Sequence, residues 1–208
     1  MTRPFRSIIA AAAVGICLTA VGTTVASVQS DPEISVIVDR KSGSVELFLG
    51  MPAQDLVDVL AMSPTNLTEA DGTVDFASLR EGTWDIGDAA FASVNSHLGD
   101  ELVQFEAMSM MVHPSEDVLP FSDPIDGVLA VSVCSVDAPA KPPRLGDLHS
   151  YSGFIAYADD TSRPLQLSFA ETGRSEVSVE VLDYNDGELV NRSRHTLADG
   201  GTLTISDR

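Results

Sequence analysis

A methionine- and histidine-rich run is the part of this sequence whose residue types best suit metal chemistry. Its four candidate ligands are Met108, Met110, Met111 and His113. Thioether sulfur and imidazole nitrogen together suit Cu(I) in an oxidising compartment. Side chains alternate between the two faces of a strand, so the first two of these methionines would face away from the last methionine and the histidine. We therefore favour core packing by the methionines and keep copper binding as the alternative.

A copper site on this run would need either a β-bulge or a ligand from a second segment. The histidines that a second segment could supply are His97 and His149. Without one of these additions, a regular strand would place too few ligands on one side of the sheet.

A turn at residues 183–188 is a second candidate metal site because it collects oxygen ligands. It contains Asp183, Asn185, Asp186 and Glu188, and Ca²⁺ prefers carboxylate and carbonyl oxygen. Gly187 stands fifth in this run, whereas an EF-hand loop needs glycine at its sixth position. The favoured interpretation is a tight hairpin turn, with calcium binding as the alternative.

The sequence contains no recognisable catalytic motif. It has no Gly-x-Ser-x-Gly elbow, His-Glu-x-x-His pair, phosphate loop or dinucleotide fingerprint. His149 and Ser150 are adjacent, but neighbouring residues on a strand point to opposite faces. We therefore expect a protein without catalytic activity and without a resident cofactor, and an unrecognised hydrolase is a third hypothesis.

The first thirty residues predict export. Arg3 and Arg6 precede an uncharged, largely apolar run that ends before Asp31. A short basic region followed by an apolar stretch and small residues is typical of a secretory signal peptide. We predict a signal peptide over residues 1–27, cleaved after Ala26 or Ser27, and a periplasmic or secreted location.

The mature chain is strongly acidic. Removing Arg3 and Arg6 with the signal would change the formal charge from −19 to −21. Such a surface repels nucleic acid and anionic lipid and favours a cationic partner. We expect no nucleic-acid binding and no stable membrane insertion after cleavage. With Cys17 in the signal, Cys134 would be the only thiol left, buried as a small apolar residue.

Alternation of apolar and polar residues predicts a mainly β protein. The expected fold is an antiparallel β-sandwich with one or two short helices, and Trp84 is expected in or beside its core. The predicted elements before the proline-rich segment are a hairpin over 34–49, a helix over 53–62, and strands over 101–113 and 128–136. Those after it are strands over 154–158, 165–169, 177–182, 189–197 and 203–205.

A proline-rich segment at residues 137–148 predicts a linker between two parts of the mature chain. Residues 28–136 form a β-rich region with short helical insertions, and residues 149–208 supply further antiparallel strands. So short a second part buries too little surface to be stable alone, so we expect it to pack on the first.

Taken together, these patterns indicate an exported binding or interaction protein of the bacterial envelope. Its expected partner is an envelope protein or a small ligand, and the acidity favours a cationic one. A periplasmic copper-handling protein that uses the methionine and histidine run is the alternative function.

Overall fold

A computed structural model describes residues 33–75, 79, 81–132 and 141–206. The predicted signal peptide at 1–27, Cys134 and residues 137–140 lie outside the described residues. The strands are β1 (Ile34–Lys41), β2 (Ser44–Pro52), β3 (Asn95–Leu98), β4 (Glu101–Val103), β5 (Glu106–Pro114), β6 (Leu148–Tyr157), β7 (Leu165–Ser168), β8 (Val177–Asn185), β9 (Glu188–Leu197) and β10 (Thr202–Ile205). The α-helices are α1 (Asp55–Asp58), α2 (Thr83–Phe91) and α3 (Pro124–Ser132), and single 3₁₀ turns span Pro64–Asn66, Ser115–Asp117 and Leu145–Asp147. The prediction of a mainly β protein with short helices is confirmed.

The strands form two sheets. The larger has the order β5-β6-β2-β1-β8-β9 and the smaller the order β10-β7-β3-β4. Neighbouring strands are antiparallel except β1 and β8, which run parallel. Strands from both sides of residues 137–148 therefore contribute to each sheet.

One main core joins the two sheets. From the larger sheet it takes Val177, Val179 and Val181, and from the smaller sheet Leu203 and Ile205, all nearly inaccessible to solvent. These are the residues that the period-two alternation assigned to the inner face. That part of the prediction is confirmed.

The β8–β9 connection is the tight turn that its sequence predicts. Asp186 and Gly187 have φ values of 48° and 79°, and glycine and aspartate tolerate this left-handed region. Asp183 takes part in a buried ion pair, because Arg40 Nε donates to its Oδ1 over 2.9 Å. The same guanidinium donates to the carbonyls of Thr161 and Arg163. Asp183 thus ties β8 to β1 and to the loop before β7.

The strand predicted over residues 128–136 is wrong in its described part, which belongs to α3. Pro124 occupies the first turn, and the Asp126 backbone N–H donates to Asp123 Oδ1 over 2.8 Å. Proline and an aspartate acceptor are typical of a helix start. The buried positions Gly127, Ala130 and Val131 follow the helical spacing of three and four.

The strand predicted over residues 101–113 is interrupted and shared between the two sheets. β4 belongs to the smaller sheet and β5 to the larger. Phe105 lies between them and is buried. Phe105 packs into the core that both sheets share. The apolar and polar residues therefore keep alternating along the sequence, although the strand itself is interrupted between β4 and β5.

Two further predictions need correction. α1 covers only Asp55–Asp58 of the predicted helix 53–62, although Leu56, Val59 and Leu60 are all buried as their spacing predicted. Trp84 is 59% exposed and not in the core. It lies in the first turn of α2, whereas the helix meets β5 one turn later, at Gly87.

The described end of the proline-rich segment packs against the rest of the chain. Pro143, Leu145 and Leu148 are buried, and the Val74 N–H donates to the Pro143 carbonyl over 2.7 Å. Within the described ranges, no helix has the length and apolar character needed to cross a bilayer.

Candidate functional site

The methionine and histidine run lies on β5, and its side chains divide between the two faces of the larger sheet. Met110 is fully buried in the main core. Met111 and His113 stand directly opposite Tyr151 and His149 of β6. Directly opposed residues share a face, and Tyr151 belongs to a second, smaller core under α3. The structure therefore brings Met111 and His113 to one side and leaves Met110 on the other.

Met108 lies at a β-bulge, the irregularity that a metal site on this run would need. The pairing of β5 with β6 shifts register between Ala107 and Ser109, which flank Met108. Ser109 Oγ donates to the Val131 carbonyl of α3 over 2.9 Å. The bulge thus lets β5 meet the C-terminal turn of α3.

Of the residues predicted as metal ligands, the histidine pair His113 and His149 forms the arrangement that most resembles a metal site, because the two are directly opposed on β5 and β6. Their ring centroids lie 5.6 Å and 4.8 Å from that of Tyr151. Burial, assisted by the charge of His113, lowers the pKa of His149 to about 4. Its imidazole is therefore neutral at physiological pH, the form that binds metals. His97 lies on β3 of the other sheet.

Tyr151 is held by the loop that precedes α3. Its hydroxyl accepts the Leu119 N–H over 2.9 Å and donates to the Leu119 carbonyl over 3.3 Å. Burial raises the pKa of this phenol, against the opposing effect of the Leu119 hydrogen bond. The contact fixes the chain that leads into α3.

Helix α3 packs directly on the larger sheet through a glycine. A Cβ placed at Gly127 would meet the Phe48 ring at 2.7 Å, so only glycine permits this approach. Ala130 and Val131 fill the remaining contact. The inner face of α3 is thereby completely covered.

The opposite face of α3 is apolar and open to solvent. Ile125, Val128 and Leu129 are 70%, 42% and 51% exposed. We call these three residues the α3 outer face. A groove of about 460 Å³ runs beside it and is bounded by the β1–β2 and β8–β9 connections. Sequence reasoning missed this surface because it assigned the run to a buried strand.

Five carboxylates lie beside the α3 outer face. Asp39, Glu46 and Asp186 line the groove, while Asp123 and Asp126 lie at the start of α3. We call these five residues the acidic rim. The Asp39 side chain is buried and accepts the Gly187 N–H over 3.1 Å. The Tyr184 hydroxyl donates to the Ser122 carbonyl; burial together with Asp123, Asp126 and Asp39 raises the pKa of this phenol, while Arg192 lowers it.

One lysine, Lys41, lines the groove, and it already forms ion pairs with two carboxylates of the acidic rim. Lys41 Nζ lies 2.7 Å from Glu46 and 3.5 Å from Asp39. Although burial lowers the pKa of Lys41, its interactions with Glu46 and Asp39 raise it above the ordinary value. Among the described residues that line the groove, negative charges outnumber this positive one.

A serine and a histidine lie within hydrogen-bond distance on β9. They belong to none of the motifs considered in the sequence. Ser193 Oγ lies 2.9 Å from His195 Nε2. Their spacing of two along a strand places them on one face, which is the signal that sequence reasoning missed. Within the described part of the chain, no carboxylate is hydrogen-bonded to His195. The pair lacks the third group that orients the base in a catalytic triad.

No protein-family profile and no curated protein matches this chain. The function proposed below therefore rests on the geometry of the described residues. Of the arrangements above, the α3 outer face with its acidic rim is the one suited to contact another macromolecule, since it combines exposed apolar surface with unbalanced charge.

Proposed function

We propose that this chain is an exported, non-catalytic binding protein of the bacterial envelope, periplasmic or secreted. Its two sheets would form the layers of a β-sandwich. The observation that carries the proposal is the α3 outer face, an exposed apolar surface within the acidic rim. A partner protein of the envelope that presents a basic, amphipathic segment would satisfy both features.

The energetic case begins with the apolar residues. Fully burying a leucine or isoleucine side chain contributes about 1.5–3 kcal/mol, and Ile125 and Leu129 are both more than half exposed. Two such residues can form the apolar centre of an interface, and the remaining affinity must come from the contacts around them because association itself costs free energy.

The charge determines the kind of partner. The chain carries a formal charge of −19, and the acidic rim concentrates some of it beside the α3 outer face. Lysine or arginine on the partner would speed association and favour this face over others. Binding should therefore weaken as ionic strength rises.

Site-specific photocrosslinking in the producing cell tests the proposal. A photoreactive residue replaces Ile125 or Leu129 on α3, and Trp84 of α2, which is 59% exposed, serves as the control on another helix surface. We expect one discrete protein adduct from both α3 positions and none from Trp84. The purified partner should then bind the wild-type protein at least about tenfold more tightly than the Leu129→Asp variant, a difference of about 1.4 kcal/mol.

Two results would overturn it. One is the lack of any adduct from either α3 position in protein that reaches the envelope. The other is an equal yield of the same adduct from Trp84, because that would show unspecific contact.

Copper handling remains the second candidate function, and the histidine pair is the observation that favours it. His113 and His149 are directly opposed on β5 and β6, and Met111 lies on the same face. Two imidazoles and a thioether are suitable ligands for Cu(I). Met110 lies in the core on the other face, so its replacement is the matched control for a metal titration.

A further inference from the structure

We propose that a second, independent site lies between the C-terminal half of α2 and the β3–β4–β5 segment, and that it binds a small organic ammonium ion. The concavity there measures about 680 Å³, within the range of roughly 300–1,000 Å³ typical of small-molecule sites. It is separate from the α3 outer face, and the two share no lining residue.

Two phenylalanines contribute to an apolar floor of this pocket. Phe91 of α2 and Phe105, which links β4 to β5, pack edge to face with ring centroids 5.5 Å apart, and Phe91 also packs on Phe154. Both lining rings are largely buried by these contacts, while Leu102, which also lines the pocket, is 68% exposed. An exposed leucine beside them offers a surface to cover the apolar part of a ligand.

The charge of the pocket is negative. Asp88 and Glu106 line it, and among its described lining residues there is no lysine or arginine. Asp88 is positioned, because its Oδ1 accepts the Ala107 N–H of β5 over 3.2 Å. A carboxylate fixed beside an apolar floor suits an ammonium group carried on an apolar body.

A buried serine supplies a third feature. Ser96 lines the pocket and is 2% exposed. Its hydroxyl has no hydrogen-bond partner among the described residues. A buried polar group without a partner is unfavourable, and a ligand with an N–H donor would satisfy it. The negative charge, the apolar floor and this hydroxyl together indicate a primary amine with an apolar body.

Calorimetric titration of the mature protein with three matched probes tests this assignment. Phenethylamine is the cation, phenethyl alcohol its neutral analogue and phenylpropionate the anion. We expect phenethylamine to bind with a Kd of about 1 mM or tighter, the alcohol at least about fivefold more weakly, and the anion not measurably.

Asp88→Asn is the diagnostic variant because the amide oxygen can still accept the Ala107 N–H. Its melting temperature should equal that of the wild type, and its affinity for phenethylamine should fall about five- to tenfold. Asp159→Asn is the control, because Asp159 is exposed and lines neither this pocket nor the groove beside α3; it should leave that affinity unchanged.

The assignment fails if no probe binds, if amine and alcohol bind equally well, or if Asp159→Asn weakens amine binding as much as Asp88→Asn does. None of these results bears on the α3 outer face, whose crosslinking partner is measured separately.

Discussion

Replacing Val36 with aspartate tests the inner face of the larger sheet. Val36 is 2% exposed, and its cross-strand neighbours are Leu49 on β2 and Val181 on β8. Losing buried valine surface costs about 2 kcal/mol. Burying a polar group with no hydrogen-bond partner adds about 1–3 kcal/mol. We expect a loss of about 3–5 kcal/mol for the protonated carboxyl and a larger one at neutral pH, against a domain stability of roughly 5–15 kcal/mol.

Glu180→Ser is the control on the neighbouring strand. Glu180 is half-buried and accepts hydrogen bonds from Arg192 over 3.0–3.1 Å on the outer face. Surface ion pairs of this kind contribute about 0–1 kcal/mol. Its removal should therefore cost far less than the aspartate at Val36.

Thermal unfolding followed by circular dichroism measures both changes. For a chain of this size, 1 kcal/mol shifts the melting temperature by about 2–4 °C. Val36→Asp should lower it by at least about 10 °C, and Glu180→Ser by no more than about 4 °C. Burial should raise the pKa of the new carboxyl, so its cost is greatest at neutral pH and shrinks towards pH 4, near the unfolded pKa of about 3.9. Equal shifts for the two variants at neutral pH would refute the assignment of inner and outer faces.

Three further predictions concern the termini, the histidine pair and copper. The exported protein should begin at Ser27 or Val28, as N-terminal sequencing or intact mass will show; uncleaved protein in the membrane fraction would contradict this. Because the folded pKa of His149 is about 4 and the unfolded one about 6.5, the unfolded chain binds the proton first. The free energy of unfolding should fall by up to about 3 kcal/mol as pH drops from about 6.5 to 4. Melting temperatures measured across this pH range should show a smaller decrease for His149→Gln than for the wild type. If the chain is a protein-binding module, Cu(I) should bind only weakly in competition with a strong chelator. Tight one-to-one binding that His113→Ala abolishes and Met110→Leu preserves would favour copper handling.

β7, β10 and the first half of β8 were predictable because each alternates buried residues with more accessible ones. The alternation through Val177, Val179 and Val181 matches the burial of every second residue in this half of β8. The Asp186-Gly187 turn follows from the local backbone preferences of these two residues. The parallel contact of β1 with β8 was not predictable. It joins residues more than a hundred positions apart, and nothing in either local pattern specifies a distant partner.

The candidate sites were harder to predict because each consists of residues that are distant in the sequence and meet only in the folded chain. His113 and His149 were both recognised as candidate ligands, but only the register of β5 with β6 shows that they are opposed. The pocket beside α2 needs residues from a helix and three strands. Its acidic and aromatic members are unremarkable one by one in the sequence.

The error over α3 has a physical cause that bears on function. A helix that covers a sheet normally alternates an apolar stripe with a polar face, and that period identifies it. In α3 the inner residues Ala130 and Val131 and the outer residues Ile125, Val128 and Leu129 are all apolar. The sequence therefore reads as a continuous apolar run, which is also typical of a buried strand. A polar outer face would have made the helix predictable and removed the proposed binding surface. Val128 and Leu129 belong both to the apolar run that was taken for a strand and to the proposed binding surface.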